Sequence, residues 1–144
     1  MKLRNVKTSK ILVIIMTVFF VTPVSADVIS DRKNGFRDNS IAIRAITKSI
    51  RNKDFQNIIE NAKKIEQWSI VMSEYFPIGS NQGNTNASEN IWQDFDSFKL
   101  KILDNTNTAQ ALILAAESKN LSNVKQLTSE LGSTCQSCHM KFKR

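Results

Sequence analysis

The segment Cys135-Gln136-Ser137-Cys138-His139 restricts the fold of this chain more than any other feature of its sequence. A C-x-x-C-H segment is the attachment signature of c-type haem: two thiols form thioethers to the macrocycle, and the next imidazole binds the iron. If the segment is helical, an advance of about 100° per residue places all three side chains on one face. The sequence therefore predicts one covalent haem c, attached to Cys135 and Cys138, with His139 as axial iron ligand.

Other uses of this segment fit the sequence less well. A thioredoxin-type C-x-x-C motif is expected beside a βαβ pattern, whereas the residues before Cys135 have a helical pattern. A structural zinc site needs four ligands, and the chain contains only two cysteines and one histidine. The single histidine also excludes bis-histidine ligation of a haem iron.

A methionine is the remaining side chain that could complete the coordination of the iron. Met140 directly follows His139 and is expected on the same side of the ring, where it cannot reach the opposite face. Met72 is therefore the candidate sixth ligand. With Met72 bound, the alternative prediction is a six-coordinate, low-spin soluble electron carrier.

Residues 1–26 have the three parts of a secretory signal peptide: basic residues up to Lys10, an apolar run over residues 11–21, and small residues leading to Ala26. The apolar run is shorter than the roughly 20 residues that cross a bilayer. We therefore expect cleavage after Ala26 rather than a stable membrane insertion. The expected mature domain, residues 27–144, would be periplasmic, because bacteria attach haem to thiols outside the cytoplasm.

Much of the net positive charge belongs to the predicted signal peptide. The full chain has 20 basic and 13 acidic residues, whereas residues 27–144 keep 16 basic and all 13 acidic residues. No basic stripe with interleaved aromatic residues is present, so we expect no binding to nucleic acid.

Residues 27–144 predict an all-α fold, because apolar residues recur at intervals of three and four and no long alternating pattern is present. Four helices are predicted: 28–50 with Asp27 as N-cap, 55–75 with Asp54 as N-cap, 89–118 with Ser88 as N-cap, and one that carries the haem segment with Asn120 as N-cap. Gly35 and the polar residues 38–40 weaken the prediction for the middle of the first helix. Two short connections and one longer one predict an antiparallel four-helix bundle, with the haem between helices near one end.

Several further segments resemble those of the class II c-type cytochromes, the cytochrome c prime family, over about residues 29–143. The matching segments are Arg32 with Phe36, Phe76-Pro77-x-Gly79-Ser80, Ile91-Trp92, and Cys135-x-x-Cys138-His139 followed by Phe142 and Lys143. The resemblance implies a four-helix bundle with pentacoordinate iron, as in many members, and a homodimer.

The resemblance also implies roles for three more residues in the haem pocket. Arg32 would lie near the haem propionates; without the resemblance, it reads as an arginine on a solvated helix edge. Phe36 would face the sixth position, crowd it, and disfavour O₂ because it offers no hydrogen-bond donor. Lys143 stands where many relatives carry an arginine beside the proximal histidine, and a lysine lacks the planar fork of that arginine.

Two functions are compatible with these residues. A vacant sixth position would bind small diatomic gases such as NO and CO, and the haem would also transfer electrons with a redox partner that the sequence does not identify. Peroxidase-like catalysis is disfavoured because no second histidine is present to act as a distal base. We therefore expect a binding and electron-transfer protein rather than an enzyme.

Overall fold

The computed structural model describes residues 24–144, so the signal peptide predicted for residues 1–26 lies almost wholly outside the described residues and stays a prediction. The helices are α1 (Val24–Asn52), α2 (Phe55–Val71), a 3-10 helix (Met72–Tyr75), α3 (Asn90–Gln93), α4 (Phe95–Glu117) and α5 (Leu121–Phe142). In this part of the chain, no helix is long and apolar enough to cross a membrane.

The four long helices form the predicted antiparallel bundle. Helix α2 packs between α1 and α4, and α5 closes the ring by contacting both α4 and α1. This all-α arrangement confirms the fold class predicted from the apolar spacing.

The two short connections use the same turn. Lys53 and Lys119 adopt left-handed φ angles of 54° and 55°, and the N–H groups of each lysine and of the next residue bond back to carbonyls of the preceding helix. This is the Schellman pattern, which satisfies the free carbonyls at a helix end. The residue after each lysine then caps the next helix: Asp54 accepts from the N–H of Asn57 at 3.1 Å, and Asn120 from that of Asn123 at 3.1 Å. Both predicted caps are confirmed.

Two other predicted caps are wrong. Asp27 lies inside α1, which begins at Val24, because nothing in residues 24–26 opposes a helical backbone. Ser88 does not cap the long third helix, because the chain leaves the helical conformation at Asp94, with φ −137° and ψ 61°. The Asp94 side chain accepts from the N–H of Ser97 at 3.2 Å and thereby starts α4, so α3 is a single separate turn.

Helix α1 runs without interruption through Gly35, although the glycine was expected to weaken it. An ideal Cβ at this position would lie 2.4 Å from ring atoms of Trp68. Gly35 therefore allows α1 to approach the indole closely, and packing outweighs its low helix propensity.

The core consists of two apolar clusters. One surrounds Ile46, Ile58 and Leu112 in the half of the bundle with the short connections. The other, around Phe76 and Phe98, is rich in aromatic residues and packs under the loop that joins the 3-10 helix to α3. A cavity is lined by members of both clusters. The bundle therefore holds a large cavity between its two packed halves.

Candidate functional site

The cavity between the two core clusters has a volume of about 510 Å³, which is in the range typical of ligand pockets. Helices α1, α4 and α5 and residues 84–87 supply most of its walls. Cys135, Cys138 and His139 all line it from one face of α5, as the helical spacing predicted. The predicted attachment residues therefore converge on one large, mainly apolar space.

Burial by the surrounding helices keeps the two thiols neutral. It raises the pKa of Cys138 to about 11, with a smaller contribution from neighbouring Cys135, and it raises the pKa of Cys135 as well. Cys135 can be reached through the cavity, but the walls still remove much of its hydration.

The surroundings of His139 favour its neutral form. Burial lowers the pKa of the imidazole, and the positive charge of Lys143 lowers it further. A neutral imidazole has the free lone pair that a metal ion requires.

Phe36 lies opposite His139 across the cavity. The two ring centroids are 6.5 Å apart, and their planes are inclined by 68°. Trp68 and Phe76 support the Phe36 ring edge-on, at centroid distances of 5.6 and 6.4 Å. Phe36 is thus fixed by two aromatic neighbours and faces the histidine with a ring that carries no ligating atom.

A haem fits this arrangement. A flat macrocycle parallel to the Phe36 ring can meet the imidazole of His139 close to edge-on, which is the approach that a ligating nitrogen requires. Carbon–carbon contact needs about 3.5–4.0 Å, a metal–imidazole bond about 2 Å, and the bonding nitrogen lies about 1 Å from its ring centroid. One flat layer therefore needs about 6.5–7 Å between the centroids, which is close to the 6.5 Å observed. Cys135 and Cys138 stand one helical turn apart on the same wall.

Met72 lines the same cavity and is 6% exposed. Its side chain packs in the aromatic core cluster.

Arg32 is buried, with 3% of its surface exposed, so the interpretation as an arginine on a solvated edge is wrong. Its guanidinium donates to the carbonyl of Ser80 at 3.0 Å, to Thr85 Oγ1 at 2.7 Å and to the carbonyl of Tyr75 at 3.3 Å. It also lies 4.5 Å from the ring centroid of Phe76. Arg32 therefore ties the loop after α2 to α1, and it does so at the cavity wall.

Lys143 directly follows α5, and its backbone N–H donates to the carbonyl of His139 at 3.1 Å. It pairs with Ala87 in an isolated β-bridge, which holds the end of α5 against the loop. The side chain is exposed at the edge of the cavity. Lys143 thus acts on His139 through its charge and its backbone position.

Sequence reasoning missed a buried polar network behind Cys135. The side-chain amide of Asn105 in α4 donates to Thr134 Oγ1 at 2.7 Å and to the Sγ of Cys135 at 3.6 Å. The hydroxyl of Ser69 in α2 donates to Asn105 Oδ1 at 2.7 Å. The signal was present in the sequence, because Asn105 lies on the apolar stripe of its helix. A polar residue at such a position needs buried partners.

Comparisons with known proteins agree with this architecture. A family model described as Cytochrome C' matches residues 27–143. A cytochrome c prime of Rhodospirillum rubrum is 32% identical over 85 residues, and the match covers 58% of this chain and 58% of that protein.

Solved structures share the fold over a larger part of the chain. Cytochrome c prime from Shewanella frigidimarina has a TM-score of 0.78 and 28% identity, over 85% of this chain and 98% of that one. A nitric oxide complex of a mutant cytochrome c prime from Alcaligenes xylosoxidans has a TM-score of 0.76 and 21% identity, over 85% and 98% of the two chains. The family match, the shared bundle and the haem-sized cavity together show that this chain belongs to the cytochrome c prime family and binds one covalent haem c.

Proposed function

We propose that this protein is an exported, periplasmic cytochrome c prime that binds NO at a pentacoordinate haem iron and also transfers electrons. Cys135 and Cys138 would form the thioether bonds, and His139 would be the only protein ligand of the iron. The observation that carries the proposal is the position of Phe36 opposite His139, 6.5 Å away between ring centroids.

The residues around the cavity explain which ligands this site would accept. Phe36 cannot bind iron, and its fixed ring narrows the space on the side opposite His139. A small uncharged diatomic molecule can enter such a space more easily than a larger or charged ligand. Phe36 offers no hydrogen bond to a bound gas, which favours NO and CO over O₂.

The bound haem supplies the iron centre for gas binding and for one-electron transfer. The chain supplies orientation and electrostatics. The lowered pKa of His139 keeps its imidazole ready to bind metal at neutral pH. Arg32 lies buried at the cavity wall, and its terminal N–H groups donate to neutral groups of the loop. Its positive charge, rather than its fork, would therefore attract a haem propionate.

The nitric oxide complex of the Alcaligenes xylosoxidans cytochrome c prime supports NO as the first ligand to test. The predicted signal peptide supports export, and the homodimer stays a prediction of the family resemblance. The second candidate, a six-coordinate electron carrier, rests on Met72, which lines the cavity.

NO binding to the ferrous holoprotein tests the proposal. In stopped-flow absorption measurements, we expect Phe36→Ala to raise the NO association rate by about tenfold or more, because it removes the ring that crowds the site. Phe95→Ala is the matched control: Phe95 is a half-buried aromatic that does not line the cavity, and its loss should leave the rate within about twofold. Equal rates in wild type and Phe36→Ala would contradict the proposed role of Phe36.

Met72→Leu separates the two candidate functions. If the iron is pentacoordinate, this substitution leaves the ferric spectrum and the NO association rate close to wild type. If Met72 is a ligand, the low-spin spectrum is lost and NO binding becomes faster.

A further inference from the structure

Five cations form a narrow row along the outer face of α1. They are Lys33, Arg37, Arg44, Lys48 and Arg51, and all are exposed; we call them the α1 basic ridge. At about 100° per residue they fall within an arc of about 60°, and at 1.5 Å per residue the row is about 27 Å long. The exposed acidic residues of the same helix, Asp31 and Asp38, lie more than about 100° away from the centre of this arc.

The ridge has a cost for the folded chain. In residues 28–144, the ion pairs involve other lysines, and none joins the ridge to a carboxylate. Its one side-chain hydrogen bond is a long one, from Lys33 to the carbonyl of Asn84 at 3.5 Å. Like charges four residues apart, as in Lys33–Arg37 and Arg44–Lys48, destabilise a helix by a few tenths of a kcal/mol per pair. In the described part of the chain, the row therefore has no carboxylate partner.

Positive charge is concentrated on this face. Residues 27–144 carry 16 basic and 13 acidic residues, so only eleven basic residues lie outside the ridge, against thirteen acidic ones. The ridge is thus a positive stripe on a domain whose remaining surface is weakly negative. Such a stripe raises the association rate of a negatively charged partner.

The position of the ridge connects it to the haem cavity. Lys33 and Arg37 line that cavity at one end of the row. Arg44, Lys48 and Arg51, at the other end, line a separate shallow depression on α1. A molecule bound along the ridge would therefore lie beside the cavity, on the same helix that carries Phe36.

We propose that the α1 basic ridge is the docking surface for an acidic one-electron carrier protein. The inference rests on the proposed function in requiring a haem in the cavity that accepts an electron. Negative groups on the partner pair with the row and bring its redox centre to the side of the cavity bounded by Lys33 and Arg37. One electron then passes from the reduced carrier to the ferric haem, so the carrier is oxidised and the iron becomes ferrous.

Two other occupants fit the ridge less well. A second copy of this chain related by a two-fold axis would place the ridge against itself, with like charges in contact. An anionic membrane binds helices that pair a basic face with an exposed apolar one. The apolar face of α1 is buried in the bundle, and from residue 28 onward the only exposed large apolar side chain of α1 is that of Ile41, 52% exposed.

The test uses reduced plant-type [2Fe–2S] ferredoxin, a small acidic one-electron donor, and the ferric holoprotein. The ridge variant is Arg44→Gln, Lys48→Gln and Arg51→Gln, which leaves the residues that line the haem cavity unchanged. The control is Lys63→Gln, Lys119→Gln and Lys125→Gln, three exposed lysines elsewhere with the same loss of charge. Stopped-flow reduction rates are measured at several salt concentrations.

At low salt, we expect the ridge variant to be reduced about tenfold more slowly than wild type, and the control within about twofold. The wild-type rate should fall steeply with salt, since surface charges are screened within about 10 Å at 0.1 M, and the ridge variant should respond weakly. Equal slowing in both variants would overturn the proposal, because net charge alone would then explain the effect.

Two further measurements identify a wrong occupant. The first is binding to phosphatidylglycerol vesicles. If wild type and control bind them, the ridge variant does not, and all three are reduced by ferredoxin at the same rate, the proposal is overturned in favour of a membrane surface. A dimer in sedimentation that only the ridge variant dissociates would overturn it in favour of a subunit interface. NO binding is measured on the same variants and should stay unchanged, so failure of docking and failure of gas binding are distinguishable.

Discussion

The substitution Gly35→Ala tests whether close packing of α1 on Trp68 fixes the distal side of the cavity. The added Cβ would lie 2.4 Å from Trp68 ring atoms. Trp68 has little freedom to retreat, because it packs against Phe36 at 5.6 Å and against Tyr75 at 4.9 Å between ring centroids. Overpacking of this kind costs about 1–3 kcal/mol, whereas alanine in place of a helical glycine returns about 0.5–1 kcal/mol.

Gly132→Ala is the matched control, because Gly132 also lies inside a long helix and nothing stands within 4 Å of its ideal Cβ. We expect it to stabilise the protein by about 0.5–1 kcal/mol. The helix-propensity contribution is common to both variants, so the difference between them measures the clash alone, about 1–3 kcal/mol. For a domain of this size, that difference corresponds to about 4–12 °C in Tm.

The assay is thermal unfolding of the ferric holoprotein followed by circular dichroism. A second readout is the NO association rate of the ferrous form, which should change in Gly35→Ala because a displaced Trp68 no longer supports Phe36. If Gly35→Ala stabilises the protein as much as Gly132→Ala and leaves NO binding unchanged, the indole relaxes freely and the reasoning is refuted.

Three further predictions concern polar contacts. Arg32→Met should destabilise the holoprotein by about 3 kcal/mol, because it leaves loop acceptors unpaired, and limited proteolysis should then cut residues 76–85 faster; an unchanged loop would contradict this. Asp94 has a pKa lowered by its bonds to Lys141 and then Ser97, so it stabilises the fold above its unfolded pKa and loses that effect as the pH falls through its folded pKa. Asp94→Ala should therefore lower the Tm at neutral pH, and the difference from wild type should vanish in acid. Asn105→Leu should cost about 1–3 kcal/mol, seen as a lower urea midpoint with an unchanged m-value.

The features that depend on residues close together in the sequence were predicted most accurately. Asp54 and Asn120 cap their helices because the capping bond spans only three residues. The haem segment behaves likewise: helical spacing alone places Cys135 and His139 on one wall of the cavity.

Features that depend on distant residues were harder to predict. Arg32 was given a role only through the family resemblance, because the loop groups that bury it lie 43–53 residues further along the chain. Gly35 was expected to weaken α1, because the sequence does not reveal that Trp68 packs against it. The apolar stripe predicted one continuous helix through Asp94, but the side chain of Asp94 caps α4 instead. Lys141, which lies far away in the sequence, donates to the same carboxylate at 2.7 Å.

The spin state of the ferric iron tests the central claim most directly. Electron paramagnetic resonance of the holoprotein at neutral pH, recorded for wild type and for Met72→Leu, reports whether a sixth protein ligand is bound. We predict a high-spin signal that is the same in both proteins, because no protein side chain binds the sixth coordination position that Phe36 would face. A low-spin signal in wild type that becomes high-spin in Met72→Leu would contradict it and make this protein a methionine-ligated electron carrier.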